Sequence, residues 1–126
     1  MSAVLVDTHI ALWALGDPDR LNDAERAVLL DPTIDRCLSP ISIWEAAIKR
    51  EASRLRAPRH LAAILASEFR MLEISAALLE AAAELPRHHN DPFDRVLIVH
   101  ALREDLTVIT RDRAFASYGI RTHPAD

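Results

Sequence analysis

The sequence predicts an α/β fold, a parallel sheet with helices on both faces, and three observations carry that reading. Short, continuously apolar runs end at acidic or turn residues, as strands buried on both faces do. Between them lie stretches whose apolar residues recur three and four apart, the spacing of amphipathic helices. The two kinds of segment alternate along the chain, which argues for strand–helix–strand units in one sheet.

Residues 3–6 are wholly apolar and stop at Asp7, which reads as a buried strand. A helix follows over residues 9–15, and Gly16-Asp17-Pro18-Asp19 breaks it. Asn22 caps a short amphipathic helix that runs to Leu30. Cys37-Leu38 is a short strand. Ser42 opens the next helix, whose Ile41, Trp44, Ile48, Ala52 and Leu55 form one apolar stripe directed at the core. Residues 54–59, with Pro58, make a break inside a domain. A helix over 60–70, a strand over 71–74 and an Ala/Leu-rich helix over 75–85 follow, the last ending at Pro86. Residues 87–90 are a polar loop, and Asp91-Pro92 starts a helix that is apolar nearly all round and therefore deeply packed. Residues 106–110 form another buried strand. A turn at Arg111-Asp112, a short helix to Tyr118 and an edge strand at 120–122 complete the chain.

A length of 126 residues is one domain, residues 1–126, and 50% hydrophobic residues suffice for a sizeable core. No apolar run reaches the roughly 18 residues of a membrane span, and the N-terminus lacks the regions of a signal peptide. The single cysteine, Cys37, excludes an internal disulfide framework and a cysteine-rich zinc site, so a cytoplasmic location is expected. Gly16 and Gly119 are the only glycines, too few for a Walker-type loop or a dinucleotide fingerprint. A net charge of −4 argues at first against a nucleic-acid substrate. Four acids concentrated at one place would account for all of it. Of the 15 basic residues only Lys49 is lysine, and arginine suits bidentate phosphate contacts.

Those four acids are Asp7, Glu45, Asp94 and Asp112. Each has a structural reading by itself. Asp7 and Asp112 stand where helix caps stand, Glu45 follows Ser42 by three residues as in a capping box, and Asp94 lies behind the Asp91-Pro92 helix start. Together they point elsewhere. Asp7 and Asp112 leave the C-terminal ends of two buried strands, the edge where open α/β sheets place their sites. Glu45 and Asp94 lie in the first turns of helices starting from that edge. Gathered like charges repel unless a cation offsets them, and an all-oxygen set favours Mg²⁺ or Mn²⁺ over zinc.

Val4-Leu5-Val6-Asp7-Thr8-His9, Ser42-Ile43-Trp44-Glu45, His88-His89-Asn90-Asp91-Pro92-Phe93-Asp94-Arg95 and Val108-Ile109-Thr110-Arg111-Asp112 occur in this order. In these pieces the chain resembles PIN-domain proteins, specifically the VapC-type ribonuclease toxins of prokaryotic toxin–antitoxin pairs. The resemblance implies a parallel sheet of four to five strands and an endoribonuclease dependent on Mg²⁺ or Mn²⁺. It also implies a homodimer or larger toxin–antitoxin assembly, inhibited by a cognate antitoxin. The family's metal-site acids fall on Asp7, Glu45, Asp94 and Asp112, with Asp91 left as the cap of its helix.

On this reading Asp7 and Asp94 hold the metal directly, and Asp112 and Glu45 are further or water-mediated ligands. A metal-activated water cuts RNA to leave a 5′-phosphate and a 3′-hydroxyl. Thr8 and Thr110 flank the pocket and can bond a carboxylate or a phosphate oxygen, though Thr is common in strands for β-propensity alone. Arg95, Arg111 and Arg113 either grip the RNA backbone or pair with nearby acids. His88 and His89 read as loop residues, and Trp13 and Trp44 as core. Two rivals stand beside this function. One is a PIN-type nuclease acting on DNA or structured nucleic acid outside a toxin system. The other is a receiver-like signalling domain, which needs an acidic pair near the first strand and a lysine after the last, neither of which this chain has.

Overall fold

Continuously apolar central strands, buried on both faces, decide how the chain folds. The computed structural model describes residues 2–123; Met1 and residues 124–126, the ends of the expected 1–126 domain, lie outside the described residues. In chain order the elements are β1 (Ala3–Val6), α1 (Thr8–Gly16), α2 (Asp23–Leu30), β2 (Asp35–Leu38), α3 (Pro40–Glu51), α4 (Leu61–Glu68), β3 (Arg70–Met71), α5 (Ala76–Glu84), α6 (Pro92–Glu104), β4 (Thr107–Ile109) and β5 (Thr122–His123). 3₁₀ segments span Pro18–Arg20, a single turn, and Arg113–Tyr118, two turns. The five strands form one parallel sheet in the order β3-β2-β1-β4-β5. This is the expected fold with the upper of the two strand counts.

Successive residues of β1, β2 and β4 feed two cores. Leu5, Cys37 and Val108 face α5, α6 and the second 3₁₀ segment. Val4, Val6, Leu38 and Ile109 face α1, α2 and α4. Both faces are thus covered, which is why these strands read as unbroken apolar runs. Asn22 and Glu25 close a reciprocal capping box on α2. Asp105 ends α6 in the left-handed region, an accessible conformation for Asp, and turns the chain into β4.

The chain leaves β1 for β2 and β3 on one side, while β4 and β5 lie on the other. The sequence order therefore reverses between β1 and β4, where open parallel sheets leave a crevice at their carboxyl edge. Val6 is in register with Ile109, and the Asp7 N–H donates to Ile109 O at 3.0 Å. That register brings the residues after both strands side by side.

Two sequence expectations are corrected here. The third helix starts at Pro40 with Ser39 as its cap, one turn before Ser42, so Ser42 and Glu45 form no capping box. Its apolar stripe does not face the core throughout: Trp44 is 59% exposed and Ile48 is exposed as well.

Candidate active site

Three of the four predicted acids are joined by a chain of contacts across the switch point. Asp7 stands at the N-cap position of α1 but makes no side-chain cap bond. Its Oδ2 instead accepts from Thr110 Oγ1 at 2.6 Å, and Thr110 Oγ1 accepts the Asp112 N–H at 3.1 Å. Asp112 uses Oδ1 to cap the second 3₁₀ segment through the Ala114 N–H. Its Oδ2 lies 2.7 Å from His89 Nε2, and the same nitrogen is 3.0 Å from Asp94 Oδ2. Asp91 caps α6 by accepting from the Phe93 and Asp94 N–H groups, which leaves the Asp94 side chain free to face the crevice.

Glu45 reaches the same place from α3. It is 4% exposed, its Oε2 accepts from Lys49 Nζ at 2.7 Å, and its buried Oε1 has no partner. An unpartnered buried carboxylate oxygen is costly unless something cationic meets it. The electrostatics agree. Burial pushes the Asp94 carboxyl up to about 8, and the charges of Asp7, Asp91, Glu45 and Asp112 push it the same way. Asp7 is also raised, mainly by burial, with Glu45 adding to the rise and the Thr110 hydrogen bond opposing it. These groups fit a divalent cation: the donors are oxygens, one is unpartnered, and the mutual repulsion is what a cation would relieve.

A cavity of about 440 Å³ opens beside the acids, lined by Asp7, His9, Trp13, Arg20, Arg111 and Asp112 among others. Arg111 is held there by a bidentate pair with buried Glu25 at 2.7 and 2.8 Å. Its guanidinium stacks over Trp13, 4.7 Å from the ring centre, and Arg20 lies over the same ring at 5.5 Å.

The supporting residues divide. Thr110 binds Asp7 as expected, whereas the Thr8 hydroxyl turns away to donate to Ser42. Arg111 lines the cavity but is already paired. Arg95, expected beside the pocket, is buried and donates to the carbonyls of Ala82, Ala83, Leu85, Pro86 and His89, closing the end of α5 onto the loop before α6. It positions that loop and does not line the cavity. His89 is the residue the sequence reading missed. Its neighbour His88 packs against Tyr118, and nothing in an adjacent His pair says which ring will face the acids.

An α/β protein whose parallel sheet carries carboxylates at its switch point has the design of the PIN domain. Residues 4–120 match the PIN domain family model, and the chain belongs to that family. Among characterised relatives it is 27% identical to Ribonuclease VapC22 of Mycobacterium tuberculosis, over 94% of this chain and 93% of that protein. Its fold resembles a chain of VapBC2 from Rickettsia felis bound to a DNA fragment from their promoter, with TM-score 0.69, 17% identity and coverage of 96% and 97%. DNA-bound VapBC from Salmonella typhimurium is similar, with TM-score 0.66, 24% identity and 98% coverage of both chains.

Proposed function

We propose that this protein is a divalent-metal-dependent endoribonuclease of the cytoplasm and the toxin of a toxin–antitoxin pair. The observation that carries the chemistry is the Asp7–Thr110–Asp112–His89–Asp94 contact chain with the unpartnered Glu45 Oε1 beside it. Similarity to Ribonuclease VapC22 supports RNA as the substrate. The likeness to VapBC assemblies supports an antitoxin partner and a dimeric or larger complex. Trp44, Ile48, Leu79 and Leu102 are large apolar side chains left exposed, which suits a chain that meets protein partners.

In this mechanism Asp7 and Asp94 would hold Mg²⁺ or Mn²⁺, with Asp112 and Glu45 as the further acids of the set. A bound divalent cation would activate water and offset charge on the scissile phosphate. The chain's own residues prepare that site. Thr110 fixes Asp7 and the Asp112 backbone in one unit, and Lys49 holds one Glu45 oxygen so that the other points free. Arg111 and Arg20, laid over Trp13, line the cavity with positive charge and an aromatic ring on the side open to an RNA strand. With water as nucleophile, the products carry a 5′-phosphate and a 3′-hydroxyl.

The test is incubation of antitoxin-free protein with RNA and with DNA, in Mg²⁺, Mn²⁺ or EDTA. RNA cleavage that EDTA abolishes, and that Asp7→Asn and Asp94→Asn lose, is the expected result. Cleavage of DNA alone would move the protein to the rival nuclease reading. No metal-dependent cleavage of any RNA would overturn the proposal.

A further inference from the structure

His89 Nε2 sits between two carboxylates, and the three ligand-type atoms lie within 4.8 Å of one another. Distance alone would allow the imidazole to be a metal ligand. The other ring nitrogen decides against it. Nδ1 accepts the Asp91 N–H at 3.1 Å, so it carries a lone pair and the ring proton resides on Nε2. An Nε2–H cannot coordinate a cation, but it can donate to an acid.

The ring is also held by contacts beyond Nδ1. Phe115 meets it edge-on at 5.8 Å between centres. The His89 N–H donates to the Tyr118 hydroxyl at 2.8 Å, and Arg95 holds the His89 carbonyl at 2.9 Å. A ring clamped at Nδ1, face and backbone offers one rigid donor, and that donor is aimed at Asp112 Oδ2 with Asp94 Oδ2 alongside.

We infer that His89 is a positioning residue for the acidic site: its Nε2–H orients the Asp112 carboxylate beside Asp94 without joining the coordination sphere. This rests on the metal-site reading above. Outer donors of this kind hold a ligand in its binding rotamer, and their loss weakens metal affinity by roughly 10- to 100-fold.

Two substitutions separate the ring's two nitrogens. His89→Asn keeps an acceptor near the Asp91 N–H and removes the donor at Asp112. His89→Gln places an amide N–H near the Nε2 position. Mn²⁺ titration of the full chain, followed by the loss of the free-ion electron paramagnetic resonance signal, reads affinity without RNA or turnover. The expected result is Mn²⁺ binding weakened about 10- to 100-fold in His89→Asn and near normal in His89→Gln, with both folded by circular dichroism. Should His89→Asn not fold, His89→Gln decides alone, and a tenfold loss there overturns the inference. Equal binding by wild type and both variants overturns it too. So does a ¹⁴N coupling in Mn²⁺-loaded wild type that His89→Asn abolishes, because His89 would then be a ligand. Failure of the wild type to bind Mn²⁺ overturns the metal-site reading and this inference with it, an outcome distinct from the others.

Discussion

Thr110 Oγ1 lies 2.6 Å from Asp7 Oδ2, a hydrogen bond across 103 residues of sequence that the parallel register of β1 and β4 makes possible. The hydroxyl donates to Asp7 and accepts from the Asp112 N–H, so both of its roles serve acids at the switch point. Thr110→Val keeps the shape and removes both bonds, leaving a buried carboxylate and a backbone N–H unmatched. Thr110→Ser keeps them. Steady-state RNA cleavage at saturating Mn²⁺ is expected to fall about 10- to 100-fold in kcat/KM for the valine variant and only a few-fold for the serine variant. Equal rates for wild type and Thr110→Val would remove Thr110 from the site.

Arg95 is expected to matter for folding rather than for RNA contact. Five donated hydrogen bonds to backbone carbonyls cannot be replaced by alanine, and a lysine ammonium cannot span them. Arg95→Ala should lower stability by about 3 kcal/mol, read as the midpoint of urea unfolding, with Arg95→Lys recovering little of it. An unchanged midpoint together with weakened RNA binding would restore Arg95 to the phosphate-gripping role that its sequence position suggested.

The difference between those two residues marks what the sequence could carry. Strand ends are legible because continuous apolar runs such as Val4-Leu5-Val6 stop at a charge, and parallel connectivity then places Asp7 near Asp112. The Asp-Pro helix start alone fits a capping role for either acid, and the family resemblance is what set Asp91 as cap and Asp94 as site acid; the hydrogen bonds show Asp91 as the cap. Ser39, followed by proline at the first helical position, is locally the stronger helix start than Ser42. A tertiary contact reinforces it, since Ser39 is also bonded to buried His100 on α6. Helical periodicity reports an apolar stripe but not what it meets, so Trp44 read as core and is exposed. Side chains that fold back on the backbone, as Arg95 does, or that meet acids from two other segments, as His89 does, leave no local pattern at all.

His100 should make the protein sensitive to acid. Its ring is fully buried, with Nε2 2.8 Å from Ser39 Oγ and Nδ1 unpartnered. Burial lowers its pKa to about 4, with the Arg103 charge adding to the effect. The folded state thus binds fewer protons than the unfolded chain between its usual value and about 4. Stability is therefore full above about pH 6.5 and is lost as pH falls toward 4. His100→Gln can place an amide group opposite Ser39 and cannot titrate. Urea unfolding at several pH values should show wild type losing on the order of 3 kcal/mol more than His100→Gln across that window. Parallel pH profiles for the two proteins would show that His100 contributes nothing to acid sensitivity.

Metal binding should tighten as pH rises, because the acids that receive the ion hold protons in its absence. Asp94 is pushed up to about 8 by burial and by the surrounding carboxylates, and Asp7 is raised as well. For a carboxyl whose folded pKa exceeds its unfolded value, stability is greatest below the unfolded value and declines as pH climbs through the folded one. The metal-free protein should accordingly lose stability from this source between about pH 4 and pH 8. A cation reverses the trend, since it takes the place of the proton and offsets the charges that raised the pKa. The rise in Tm produced by a fixed Mn²⁺ concentration should then be small near pH 6 and larger near pH 8.5. Calorimetry in buffers of different ionisation heat should record proton release on Mn²⁺ binding that fades above about pH 9. Asp94→Asn removes the group that dominates this exchange, and its residual Mn²⁺ response should be weaker and flatter with pH. A Tm gain that is the same at both pH values in wild type would mean that Asp94 does not give up a proton to the metal, and its assignment as a direct ligand would fall.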